Sequence, residues 1–125
     1  MKLDHDVVRN LLLKIESEAD ETGLSTNAQK QIAIDLEISE SLLGYTINRV
    51  NEANLITGKA LFASNSFYSF SPIQLTFKGH EYLDNIRAPK VWKQSKSVAE
   101  KIGSVSLNVM SNIASDIILK TLNLK

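Results

Sequence analysis

The stretch Ser39-Glu40-Ser41-Leu42-Leu43-Gly44-Tyr45-Thr46-Ile47-Asn48-Arg49-Val50-Asn51-Glu52-Ala53-Asn54-Leu55-Ile56 decides how the fold is read. Ser39 offers a side-chain oxygen to the unpaired N–H groups of a first helical turn, and Leu42, Leu43, Ile47 and Val50 recur at helical spacing. The helix ends near Ala53. Asn54 stands at its exit, where asparagine tolerates a left-handed backbone. Ile56–Phe62 and Phe67–Ile73 are both rich in strand formers, and the small polar tip Ala63-Ser64-Asn65-Ser66 lies between them, which predicts a β-hairpin. Pro72 has no N–H to donate, so it confines the second strand to an edge or to its end.

Toward the N-terminus, Asp4 can cap a helix whose apolar residues Val7, Val8, Leu11, Leu12 and Ile15 predict a run from about Asp6 to Asp20, closed by Thr22-Gly23. Leu24–Lys30 reads as a polar loop. Gln31-Ile32-Ala33-Ile34-Asp35-Leu36 alternates with a two-residue period, which predicts a short strand. Toward the C-terminus, Thr76 can cap a helix over Phe77–Ile86, and Ala88-Pro89 ends it. A further helix is expected over Lys90–Ile102, stopped by Gly103, and Ser104 can cap a last one reaching Leu122. A helix that runs straight into a two-stranded hairpin is the centre of a winged helix-turn-helix. The expected class is therefore α+β, with the hairpin as wing and the preceding helix as the one that usually enters the major groove of DNA. Residues 1–87 are expected to form that domain. Residues 88–125 would be a helical C-terminal extension, packed on it or mediating assembly.

The length of 125 residues suits a single core. Cysteine is absent, which removes disulfides, thiolate zinc sites and cysteine nucleophiles together and suits a reducing compartment. Met1-Lys2-Leu3-Asp4-His5-Asp6 places acids where the apolar core of a secretory signal would begin, and no apolar run approaches the ~20 residues of a membrane span. A cytoplasmic location without a membrane partner is expected. Net charge is zero but unevenly placed. Met1–Arg87 carries eight basic and twelve acidic residues, a net of −4, and from Ala88 onward six lysines face Glu100 and Asp116, a net of +4.

Two stretches carry a family resemblance. The stretch Tyr45-Thr46-Ile47-Asn48-Arg49-Val50-Asn51-Glu52-Ala53-Asn54-Leu55-Ile56 resembles the helix and exit common to winged-helix domains, with asparagine in place of the usual glycine. Leu75-Thr76-Phe77-Lys78-Gly79-His80-Glu81-Tyr82-Leu83-Asp84-Asn85-Ile86-Arg87, followed by Val91-Trp92, is similar to the signature of a phage- and prophage-associated winged-helix family of unknown function related to the YjcQ-like proteins. The opening Met1–Asp6 and Gly103-Ser104-Val105-Ser106-Leu107 resemble it too, whereas Leu24–Ser39 matches least. The resemblance implies the fold and a mobile-element setting, and it implies no catalytic residues and no ligand.

Catalytic chemistry finds no assembled set of residues. His80-Glu81 begins like a zinc-protease helix, but the position for its second histidine is Asp84. His5, between Asp4 and Asp6, reads as a solvated residue. There is no Gly-x-Ser-x-Gly elbow and no phosphate-binding glycine loop, and Glu16, Glu18, Asp20 and Glu21 read as a solvated helix end. No enzyme, metal or cofactor is expected.

Binding residues are easier to nominate. Ser41, Tyr45, Asn48 and Arg49 of the helix preceding the hairpin, with Lys59 and the tip residue Asn65, are candidates for contact with double-stranded DNA. Arginine suits guanine and asparagine adenine, but that helix is short of the positive charge that DNA binding usually draws on. Lys90, Lys93 and Lys96, three residues apart, are candidate phosphate contacts in the tail. The last helix is apolar around much of its girth, and Val109, Met110, Ile113, Ile117 and Ile118 are candidates for a homodimer or partner interface. Two readings stay open. One is a DNA-binding regulator of a phage or prophage. The other is a protein-binding adaptor or inhibitor, such as a counter-defence protein, using the acidic body and apolar tail against a host or phage protein.

Overall fold

A computed structural model of the chain describes residues 2–63, 66–68 and 72–123. They form two compact units, Met1–His80 and Glu81–Lys125. The first holds α1 (His5–Glu18), α2 (Thr26–Asp35), α3 (Glu40–Glu52), the strands β1 (Leu61–Ala63) and β2 (Ser66–Tyr68), and the first turn of α4 (Phe77–Ile86). The second holds the rest of α4 with α5 (Pro89–Glu100) and α6 (Leu107–Asn123).

The α+β winged helix-turn-helix expected from the sequence is corrected by this architecture, which is helical. Six helices carry the described chain, and β1 and β2 share a ladder of three residue pairs, Leu61 with Tyr68, Phe62 with Phe67 and Ala63 with Ser66. A ladder of that length is no independent layer. The long strands expected over Ile56–Phe62 and Phe67–Ile73 do not form as such. Ile56 makes an isolated bridge to Leu75, and Ile73 makes one to Leu24.

The expected strand Gln31–Leu36 is the C-terminal half of α2 and its cap. Ser25 explains the difference: its Oγ accepts from the Ala28 N–H at 3.3 Å, starting a helix in a stretch that reads as loop. Once α2 is wound, Gln29, Ile32 and Ala33 fall on one buried stripe, while Ile34 is turned outward and 68% exposed. An alternation of six residues could not show that.

The other helices follow their caps. Asp4 Oδ1 accepts from the N–H groups of Asp6 (2.9 Å) and Val7 (3.2 Å), and Ser39 Oγ accepts from Leu42 N–H (3.0 Å). Val7, Val8, Leu11, Leu12 and Ile15 of α1 are buried, as are Leu43, Ile47 and Val50 of α3, with α1 and α2 both packed on α3. Lys14 ties α1 to α2 through Asp35 (3.2 Å) and reaches Glu18 within its own helix (3.6 Å). Hydrogen bonds from Gln31 and Lys14 hold the Asp35 carboxyl below its ordinary value.

The join between α3 and α4 is the tightest point of the first unit. Asn54 takes a left-handed backbone (φ 64°), and Thr76 hydrogen-bonds its carbonyl and that of the residue after it. Thr76 N–H donates to Leu55 O (3.0 Å), its hydroxyl donates to Asn54 O (2.5 Å), and the same hydroxyl accepts from Gly79 N–H (2.9 Å). Gly79 sits so close that any Cβ would overlap the Leu55 carbonyl.

In the second unit α5 packs on α6, and the connection of six residues returns the chain antiparallel. Trp92, Ser95 and Ala99 of α5 and Met110 and Ala114 of α6 are buried. Asn85 Nδ2 donates to Ser111 Oγ at 3.0 Å, linking α4 to α6. The Tyr82 hydroxyl is buried, and that burial pushes its pKa upward.

Two outcomes are expected. Gly79→Ala should cost about 3 kcal/mol, because the obstacle is backbone and cannot swing aside; an unchanged midpoint in urea unfolding would refute the close approach. Asp35→Asn should destabilise at pH 6 and matter progressively less below pH ~4. A carboxyl with a depressed folded pKa contributes above its unfolded value and loses that contribution as pH falls through the folded one. Thermal melts of both chains across pH 2.5–6 (about the carboxylate range) check this.

Candidate functional site

Two surfaces hold the residues nominated for binding. The first is the outer face of α3 and the segment after it. Asn48 is engaged with the backbone: its Nδ2 donates to Ala60 O (3.0 Å) and its Oδ1 accepts from Ala60 N–H (2.9 Å). Asn51 Nδ2 donates to Gly58 O (2.7 Å) and to Ile56 O (3.4 Å). These two asparagines hold the segment 56–60 against α3. Arg49 lies 5.0 Å above the Tyr45 ring and donates to Glu52 at 2.6 Å. Lys59 is exposed at the rim of a depression of about 260 Å³ that it shares with Arg49, Glu52 and both asparagines. That is smaller than ordinary small-molecule sites, which start near ~300 Å³. Ser41 is exposed on the first turn of α3. Asn65 lies outside the described residues.

The nominated base readers are thus already bonded within the protein. Reaching a base edge would require Asn48 to leave Ala60 without partners, and Arg49 to leave Glu52.

The second surface is the α5–α6 hairpin. Lys90 and Lys93 are exposed on α5, while Lys96 is half-buried with its ammonium 5.8 Å from the Trp92 ring. Of the nominated interface residues, Met110 is turned inward at 2% exposure, Ile113, Ile117 and Ile118 are half-buried, and Val109 is exposed. The more exposed apolar side chains are others, Ile102, Leu119 and Leu122, with Val98 about as exposed as Val109. A helix this rich in apolar residues does not reveal which of them face inward. Met110 and Ala114, one turn apart, mark the stripe that does, and the outward residues follow from it.

His80 is exposed, with Nδ1 3.9 Å from Glu16 Oε2, beside a shallow cleft that includes Asp20, Gln74 and Leu75. Among the described residues no three histidine, aspartate or glutamate side chains gather into a metal-binding group. Asp20 accepts from the Thr22 hydroxyl (2.6 Å) and N–H (2.8 Å), which hold its carboxyl below the ordinary range, and Gln74 Nε2 donates to the carbonyls of Asp20 and Glu21. The acidic end of α1 is therefore a knit corner. No helix of the described chain is long and apolar enough to cross a membrane.

Helices, clasp and hairpin place this chain among small helical proteins with a two-helix C-terminal appendage. It belongs to the family described as "Hypothetical protein (DUF2513)", which matches residues 2–106. It is similar to an uncharacterized protein of Haemophilus influenzae, with 30% identity over 123 residues that cover 98% of this chain and 99% of that protein. The family match stops before α6, whereas the likeness to the Haemophilus protein runs on through it. No solved structure matches the chain.

Asn48→Ala should destabilise the chain by about 2 kcal/mol, since it strands the N–H and C=O of Ala60, which is buried. Ser41→Ala, at an exposed position, should leave stability within about 0.5 kcal/mol of the parent. Equal midpoints in chemical unfolding would refute the structural assignment of Asn48.

Proposed function

We propose that this chain is a non-enzymatic binding module of phage or prophage type, acting in the cytoplasm by holding a protein partner through its α5–α6 hairpin. One observation carries the reading. Among the described residues seven large apolar side chains are exposed, and five of them, Val98, Ile102, Val109, Leu119 and Leu122, lie between positions 98 and 122. Scattered single residues need no explanation, but a concentration of this kind on one hairpin is what a partner surface requires. The phage setting rests on the resemblance of Leu75–Arg87 and of the chain's opening.

Double-stranded DNA is the second reading. It is favoured by Arg49 and Lys59 at one depression, and by the exposed Lys90 and Lys93. The bonds of Asn48, Asn51 and Arg49 place it behind the first.

Tagged wild-type chain should capture a discrete protein from bacterial host lysate. Leu119→Lys/Leu122→Lys should lose it, and Lys59→Ala should keep it. Capture indifferent to the double variant would overturn the hairpin as the contact. For DNA, anisotropy titrations of a mixed duplex at low and moderate salt should show affinity falling with salt, with Arg49→Ala and Lys59→Ala each flattening the slope by about one. Absence of salt-sensitive binding at micromolar protein would remove that reading.

A further inference from the structure

We draw no further inference here: the strongest candidate, the exposed apolar side chains of the α5–α6 hairpin, Ile102 at its turn and Leu119 and Leu122 near its end, belongs to the contact surface already proposed, and nothing in the structure shows what covers it.

Discussion

The Leu55 carbonyl is held where three elements meet. It accepts from the Thr76 N–H, and the backbone of Gly79 presses against it so closely that no side chain fits between. Thr76 does more than cap α4. Its hydroxyl reaches back to the carbonyl of Asn54, the left-handed residue that ends α3. One threonine therefore sets the exit of α3, the entry of α4 and the distance between them. With those set, the segment 56–60 has one course along α3, and Asn48 and Asn51 fasten it there. The short β1–β2 ladder follows from that course.

This arrangement has a consequence for function. Polar side chains on an exposed helix face invite a reading as ligand contacts, and asparagine and arginine invite it most. In this chain they satisfy backbone groups that would otherwise be unpaired near the core, or each other. With those groups engaged, the exposed apolar side chains of the α5–α6 hairpin are the feature that carries the proposed protein contact. The second unit, with seven basic and four acidic residues, carries a net +3, which gives that apolar area a sign.

Much was legible without coordinates. Asp4, Ser39 and Pro89 mark helix starts because caps are local chemistry: a side-chain oxygen within three residues of free N–H groups, or a ring that pre-sets φ. Helical spacing in α1 and α3 marks their buried faces because each is wet on one side. The reading failed at Gln31–Leu36, where six residues fit both periods and Ser25 decided for helix. It also overextended the hairpin, because strand-forming residues at Ile56 and Ile73 are buried by single bridges to Leu75 and Leu24 rather than by a ladder. β-propensity describes a fit to a half-buried pleat, and these sites supply such a fit without a sheet.

The amino-acid sequence by itself determined where α1, α3, α4 and α5 begin, the absence of any thiol chemistry, and the division of charge between the body and the tail, because each depends on residue identity or on neighbours within a turn. Tertiary structure decided which polar residues of α3 are available and which apolar residues of α6 face outward. Asn48 meets Ala60 twelve positions away, and Met110 is chosen over Val109 only by what it packs against. Contacts between residues distant along the chain settle both questions, and no local pattern records them.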